Sequence, residues 1–139
     1  MTIKQLSIFI ENKGGTLIKV LDLLSNANIQ IIASTIADTK DYGIYRVLCN
    51  NPSQAYTILK DAGINVQLAD VVALSIDDEP GRAANAIKTL SDNGISILYM
   101  YSFLWRSKGV LVFSADPAEK AKETIMLNKL TFLTEADFA

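Results

Sequence analysis

The stretch FIENKGGTLIKVLDLLSNANIQIIAST, residues 9–35, changes its hydrophobic period twice. Its first residues continue a segment in which apolar side chains recur at every second position, so that Leu6, Ile8 and Ile10 lie on one face. This period of two residues is that of a strand. From Thr16 the apolar residues are spaced as on one face of an amphipathic helix. The β-branched residues at the end of the stretch indicate a second strand. The stretch therefore predicts a strand, a helix and a strand.

The segments that follow extend this pattern to six elements. Turn residues at 37–43 join the second strand to a third and predict a hairpin. Pro52 suits the first turn of a second helix, and a short strand follows it. The order strand, helix, strand, strand, helix, strand is that of the ferredoxin-like fold, an antiparallel sheet with both helices on one face. The predicted strands are 3–10, 29–36, 44–49 and 64–68.

The same order then recurs in the second half of the chain. Gly15 and Gly81 are 66 residues apart, and the same shift relates Leu24 to Leu90. Such self-similarity indicates internal duplication. We predict an α+β protein of two ferredoxin-like βαββαβ units, residues 1–68 and 69–139, joined side by side through edge strands within one chain or between chains. The predicted second set comprises strands 71–76, 95–103, 109–115 and 130–134, helices 83–90 and 116–126, and a hairpin turn that contains Trp105.

The composition excludes several classes of function. The chain has 139 residues with 13 basic and 15 acidic side chains and no basic run, so nucleic acid is a poor partner. It has no histidine, which removes catalytic triads and most zinc sites. Its one cysteine, Cys49, predicts a buried reduced thiol. With no signal peptide and no membrane-length apolar run, a cytoplasmic protein without metal or cofactor is expected.

The two strand-to-helix junctions are the most informative positions. The first amides of a helix lack intrahelical partners and, with the macrodipole, suit a carboxylate. Glycine lets a ligand approach this backbone. Asn12 and Asp78, one in each copy, are placed to cap the helix or to accept a bond from a ligand ammonium. Turn glycines and ordinary caps explain the same residues, and neither junction matches a phosphate-binding motif.

The strand, glycine loop, helix and strand of residues 9–35 and 74–102 resemble the ACT domain, a small regulatory fold that binds amino acids and other small effectors. The resemblance covers nearly the whole chain, including the ending FLTEADF at 132–138. It implies a stand-alone pair of ACT domains without a catalytic domain. It also implies that an effector lies between two ACT units, where a first loop supplies amides for the carboxylate and the second strand of the neighbouring unit forms the other wall.

Carried onto this sequence, the resemblance implies two pseudo-equivalent ligand sites. Lys13-Gly14 replaces a common proline in the first loop, and Ala83 replaces a bulky aliphatic residue after the second. Because Asp78 and Glu79 add negative charge, the first loop is expected to bind a carboxylate better. The implied ligand-binding residues are Asn12, Lys13, Gly14, Gly15, Thr16, Ala33, Ser34, Thr35, Asp78, Glu79, Pro80, Gly81, Tyr99, Met100 and Tyr101.

Two further clusters favour structural roles. The aromatic residues of YMYSFLW, residues 99–105, fit a sheet face or a subunit contact better than a surface that stacks bases. The acidic turn 77–79 fits a solvated surface better than a cation site.

The chain is therefore expected to be a regulatory protein that binds a free amino acid, forms a homodimer and controls a separately encoded metabolic enzyme. The alternative is an interaction and dimerisation module without a small ligand. An enzyme is the least expected class, since no histidine or tunable catalytic cluster is present.

Overall fold

The computed structural model describes residues 1–11, 15–38, 42–77 and 79–138. Its elements alternate as the sequence predicts, and the α+β class is confirmed. The elements are β1 (Thr2–Glu11), α1 (Thr16–Asn26), β2 (Ile31–Asp38), β3 (Tyr42–Cys49), α2 (Pro52–Asp61), β4 (Val66–Ile76), α3 (Arg82–Asp92), β5 (Ser96–Trp105), β6 (Lys108–Asp116), α4 (Ala118–Leu127) and a 3₁₀ helix (Glu135–Phe138).

The first compact unit contains residues 4–69 together with Phe138. Its strands follow the order β2-β3-β1 and are antiparallel. Leu6 is opposite Val47, and Ile8 is opposite Tyr45, so these four side chains share one face of the sheet. Helices α1 and α2 pack their apolar stripes against that face, which buries one hydrophobic core.

The second compact unit contains residues 1–3 and 70–137. Its strands follow the order β4-β6-β5 and are also antiparallel. Val72 is opposite Phe113, and Leu74 is opposite Leu111. These side chains form the second core with the apolar stripes of α3 and α4.

The two cores are built from equivalent positions of the repeat. Each buried residue of the second core lies 66 positions after a buried residue of the first. Duplication therefore preserved the packing of both helices on the sheet, although several side chains differ in size. The equivalent pairs are Leu6 and Val72, Ile8 and Leu74, Val20 and Ala86, Leu24 and Leu90, Ile29 and Ile95, Tyr45 and Leu111, Val47 and Phe113, Ala55 and Ala121, and Leu59 and Ile125.

Three local predictions were wrong. The two strands expected at 64–68 and 71–76 are one continuous strand, β4. The strand expected at 130–134 is reduced to an isolated bridge between Leu74 and Phe132. Trp105 lies at the end of β5 opposite Lys108, so the hairpin turn consists of Arg106 and Ser107 instead.

The ends of the chain belong to the unit that contains the opposite end of the sequence. Ile3, in the second unit, is 3% exposed, and Phe138, in the first unit, is 7% exposed. Each unit therefore includes a buried apolar side chain that comes from far away in the sequence.

Cys49 is a free, buried thiol, as the sequence predicts. Burial raises the pKa of this thiol, while a backbone hydrogen bond from Asn51 acts in the opposite direction. In the described ranges no helix has both the length and the apolar character to cross a membrane. The cytoplasmic location stays a prediction.

The β5–β6 turn offers a test of the backbone conformation. Arg106 and Ser107 have φ values of 50° and 66°, a pattern typical of a type I′ turn, in which glycine is favoured. Ser107→Gly should raise the free energy of unfolding by about 0.5–1 kcal/mol because it relieves a left-handed conformation. Ser114→Gly, within β6, should lower it by about 0.5–1 kcal/mol. Urea denaturation checks both; equal signs would contradict the turn assignment.

Candidate functional site

Both strand-to-helix junctions place a glycine at the N-cap in the left-handed conformation. Gly15 has φ 107° before α1, and Gly81 has φ 86° before α3. Apart from the neighbours in sequence, no atom of the described residues would lie within 4 Å of a Cβ built on either glycine. The positive φ therefore favours glycine at both positions, and the described residues leave space above each one.

The first helical amides at these junctions precede the helical hydrogen-bond ladder. The ladder begins with Lys19 N–H donating to Gly15 O at 2.9 Å and Asn85 N–H donating to Gly81 O at 3.0 Å. In the second junction the Arg82 N–H also donates to Glu79 O at 3.3 Å. Among the described residues, no side chain makes a capping hydrogen bond to either helix. Such amides present partial positive charge to the surroundings.

A cavity of about 330 Å³ lies beside the second junction, wholly within the second unit. It is near the lower limit of the size range of small-molecule pockets, roughly 300–1,000 Å³. Its walls combine the end of β4, the start of α3, the last part of β5 and the start of β6. The lining residues are Ile76, Asp77, Glu79, Gly81, Ala83, Ser102, Phe103, Leu104, Gly109 and Val110.

Gly109 shapes the cavity by close packing. It pairs with Ile76 across the β4–β6 ladder, and a Cβ on Gly109 would lie 3.0 Å from the Ile76 carbonyl oxygen and 3.1 Å from its Cγ1. The equivalent Gly43 is less crowded, because its added Cβ would be 3.6 Å from Ile36 Cγ2. A side chain at position 109 would therefore displace the end of β4, where the cavity begins.

The charges at this junction are mixed. Arg82 Nε and Nη2 donate to Glu79 Oε2 at 3.2 and 3.1 Å, and Arg82 Nε is 4.0 Å from Asp77 Oδ2. The negative charge of Glu79 is thus offset by a neighbouring guanidinium, which the sequence-based expectation of weaker anion binding did not include. All three side chains are about half exposed or more, so the pairs add little stability.

Part of the predicted loops lies outside the described residues. Asn12, Lys13, Gly14 and Asp78 are in this group, so their predicted capping and ligand contacts stay predictions. Among the described loop residues, Thr16 begins α1, while Glu79, Pro80 and Gly81 are exposed in the second junction. Within the described ranges no group of three or more acidic or cysteine side chains is arranged to hold a metal ion.

The predicted wall on β2 has a structural bond of its own. Ala33, Ser34 and Thr35 pair with Leu48, Val47 and Arg46 of β3. The Tyr45 Oη donates to Ser34 Oγ at 3.0 Å, which satisfies the hydroxyl group of a buried tyrosine. Ser34 therefore has a role in the first unit that is independent of any ligand.

The wall predicted on β5, which is expected to face the loop of a neighbouring unit, alternates between the two faces of the strand and stays a prediction. Tyr99 and Tyr101 are half-buried on one face, whereas Met100 is on the other face and is 52% exposed. The cavity of the second unit is a different place on this strand, and it includes residues 102–104, which the sequence interpretation did not select. The register of the hairpin is the signal that places them there, because the turn at 106–107 brings Leu104 opposite Gly109.

Comparison with known proteins identifies the family. The family model described as an ACT domain pair matches residues 1–139. The chain belongs to the ACT family. This ACT pair has the regulatory fold that the sequence resemblance implied.

Solved structures agree with this assignment. Protein BT0572 from Bacteroides thetaiotaomicron is 38% identical, with a TM-score of 0.93 over 99% of the ACT pair and 96% of that chain. The regulatory subunit of aspartate kinase from Thermus thermophilus is 15% identical, with a TM-score of 0.62 over 89% and 91% of the two chains. At that identity the likeness shows the fold alone. No curated protein gives a significant match.

The conformation of Gly81 predicts a specific cost of substitution. Gly81→Ala should lower the free energy of unfolding by about 1–2 kcal/mol, because alanine is strained at positive φ. Gly43→Ala is the matched control. Gly43 is not a positive-φ residue, and its added Cβ would make only ordinary contacts. Urea denaturation should therefore show little change for this control, and equal losses in both variants would contradict the conformational explanation.

Proposed function

We propose that this ACT pair is a regulatory protein that binds a small α-amino acid in the cavity at the amino end of α3. The observation that supports the proposal most directly is that a cavity lies beside the junction that contains Gly81. The cavity is lined by Gly81, where the backbone is bare, and it lies where the first amides of α3 precede the helical ladder. Membership of the ACT family makes a regulatory role the natural one.

The lining matches the three parts of an amino acid. The amides of the first turn of α3 suit the carboxylate. The Asp77 carboxylate, at the rim, suits the ammonium group. Phe103, Leu104 and Val110 offer apolar surface to a side chain. The modest volume favours a small amino acid over a large aromatic one.

The first loop is proposed as a second site of the same kind. In the repeat, Lys13 is equivalent to Glu79, and Ile36 is equivalent to Ser102. A lysine in place of a glutamate favours the carboxylate, so we retain the prediction that the first loop binds more tightly. The walls predicted from the resemblance, residues 33–35 and 99–101 of a neighbouring ACT unit, stay predictions.

Regulation requires a partner that distinguishes the ligand-bound form from the free form. We propose a separately encoded metabolic enzyme as that partner. The regulatory subunit of aspartate kinase from Thermus thermophilus, which shares the fold, is an example of a regulatory chain that belongs to an enzyme. The ACT pair itself is proposed to be non-catalytic.

A second candidate function, a dimerising interaction module, is favoured by the surface of β5. This strand is last in the order β4-β6-β5 and contains no charged residue. Leu98, Met100 and Leu104 are 63%, 52% and 63% exposed on one face of it. Edge strands of monomeric proteins are usually protected by charges. A second copy of this chain would bury the apolar face, and its own β5 supplies an equally uncharged strand.

Thermal unfolding with each of the twenty amino acids tests the effector proposal. A ligand present at one hundred times its dissociation constant should add about 2.7 kcal/mol of stability. Ser102→Leu should fill the cavity and reduce the number of ligands bound per chain by one, as counted by isothermal titration calorimetry. Ser96→Leu is the matched control, because Ser96 is exposed on the same strand but does not line the cavity.

The outcomes of this experiment are distinct. If no amino acid shifts the midpoint, the effector proposal fails and the interaction module is favoured. If an amino acid binds equally well and in equal number to the parent and to Ser102→Leu, the cavity is not the site. Substitution of Gly81 is a poor test, because its positive φ makes any change affect folding as well.

Sedimentation analysis tests the dimerisation proposal. Met100→Lys should weaken self-association at least tenfold, because lysine on an edge strand opposes pairing. Leu127→Lys is the control, since Leu127 is 81% exposed at the end of α4 and is not part of β5. A parent protein that is monomeric at all concentrations, or equal losses in the two variants, would contradict β5 as the interface.

A further inference from the structure

The chain contains a single Asn-Gly dipeptide, Asn93-Gly94, and it lies where α3 ends. Asparagine followed by glycine is especially prone to spontaneous deamidation, because glycine has no Cβ to hinder attack by its backbone nitrogen on the asparagine side chain. Both residues are exposed, so water reaches them. The chain therefore contains a chemically reactive pair of residues that the proposed function does not use.

Deamidation at this dipeptide proceeds through a five-membered imide ring. The Gly94 nitrogen attacks Asn93 Cγ, the Cγ–Nδ2 bond breaks, and the amide leaves as ammonia with the proton of the Gly94 N–H. Water then adds to one of the two imide carbonyl carbons. Cleavage of the new bond to Cγ gives aspartate, and cleavage of the original peptide bond gives isoaspartate. No reactant other than water is consumed.

The backbone at the end of α3 keeps the reacting atoms apart. Asn93 has ψ 15°, so the Gly94 nitrogen nearly eclipses the Asn93 nitrogen. Ring closure requires the Gly94 nitrogen to lie on the side of Cβ instead, because the ring contains Cα, Cβ and Cγ. The Gly94 N–H donates to the Ser91 carbonyl oxygen at 3.0 Å, and the Ile95 N–H donates to that of Leu90 at 3.1 Å. These two bonds form the usual glycine motif of helix ends and fix this conformation.

The Asn93 side chain is also held by the helix end. Its Nδ2 donates to the Thr89 carbonyl oxygen at 2.7 Å, so the amide group that would leave is bound to the last turn of α3. This bond satisfies one of the carbonyl groups that have no partner inside the helix. Both reacting groups are thus engaged in the hydrogen bonds that end α3. Deamidation therefore requires this end of the helix to open, which is a local event of low cost compared with unfolding of the whole protein.

The end of α4 provides an internal comparison. Asn128 has ψ 6°, and its Nδ2 donates to the Thr124 carbonyl oxygen at 2.9 Å. The Lys129 N–H donates to the Met126 carbonyl oxygen at 3.2 Å. The two asparagines therefore have the same cap geometry and differ in the residue that follows. The side chain of Lys129 hinders the attack that Gly94 permits.

We propose that Asn93-Gly94 is a slow, spontaneous deamidation site whose rate is set by the opening of the end of α3. The product weakens the same end of the helix. An aspartate carboxylate would face the Thr89 carbonyl oxygen and the negative end of the helix dipole. Isoaspartate would add a methylene group to the backbone between Leu90 and Ile95, which are both buried in the second core. This proposal is independent of the ligand and partner proposed above.

Peptide mass spectrometry of aged protein tests the site. The folded chain and the chain in urea are kept at the same mildly alkaline pH and temperature, and the conversion of each asparagine is followed with time. In urea, Asn93 should convert faster than Asn128. In the folded chain, Asn93 should convert at least tenfold more slowly than in urea. Equal rates at Asn93 in the two samples, or no conversion of Asn93 in urea, overturns the proposal.

Two equivalent glycine substitutions distinguish local opening from unfolding of the whole protein. Ser91→Gly lies in the last turn of α3, and Ser25→Gly lies at the equivalent position of α1, 66 residues earlier. Glycine weakens a helix relative to serine by a similar amount at both positions. Ser91→Gly should raise the rate at Asn93 in the folded chain about twofold, and Ser25→Gly should leave it unchanged. Equal rates at Asn93 in the two folded variants overturn the control by the end of α3.

Substitutions of Asn93 itself test the effect of the product. Ala27 is the equivalent residue at the end of α1, so alanine is compatible with this kind of helix end. Asn93→Ala removes the bond to the Thr89 carbonyl, whereas Asn93→Asp removes it and adds a negative charge. The thermal midpoint should fall from the parent to Asn93→Ala and again to Asn93→Asp. If Asn93→Asp unfolds at or above the midpoint of Asn93→Ala, the predicted weakening of the helix end by the product is wrong.

Discussion

A left-handed glycine between a strand and a helix is the constraint on which both units depend. Gly15 and Gly81 reverse the chain so that each helix returns over the strand that precedes it. The helix can then cover the apolar face of the sheet and bury residues such as Leu24 or Leu90. At the same junctions the first helical amides precede the hydrogen-bond ladder of the helix. The fold and the candidate site therefore require the same residue for different reasons.

The two copies share their buried core positions but differ in the residues of their loops and helix ends. The buried positions of the second core all have buried equivalents in the first, because each helix must fit the same sheet geometry. Outside the core this constraint is weaker. Lys13 and Glu79, Asn28 and Gly94, and Gln54 and Lys120 are equivalent pairs with different charge or shape. Duplication has thus given two units with the same core arrangement but with different polar residues outside the core.

Much of the architecture could be predicted from the sequence, because hydrophobic period and repeat carry independent information. The period distinguished helices from strands, and the shift of 66 residues aligned the second unit with the first. The predictions that were wrong depend on how the strands pair. Phe132 makes one bridge to Leu74 instead of belonging to a strand, and Trp105 extends β5 because its partner is Lys108. Neither fact can be predicted from local residue preference.

The candidate site was predictable only in part, for the same reason. The importance of Gly81 could be predicted because this glycine directly precedes the apolar pattern of a helix, which is a local feature of the sequence. Ser102 and Leu104 line the cavity because the β5–β6 register places Leu104 opposite Gly109, which packs on Ile76, and Ser102 opposite Leu111. The wall that the family resemblance implies, Tyr99–Tyr101, was assigned to a different site, opposite the loop of a neighbouring unit, and stays a prediction. The lining of the cavity depends on tertiary register, which residue type alone does not reveal.

The exchange of terminal segments has a consequence for how the two units fold. Ile3 is a buried residue of the unit that otherwise consists of residues 70–137, and Phe138 is a buried residue of the unit that otherwise consists of residues 4–69. Each of these side chains lies more than sixty residues along the chain from the rest of its unit, so its burial adds a loop-closure cost. Neither half of the sequence therefore contains every buried residue of its own unit, and a half expressed alone would lack one of them.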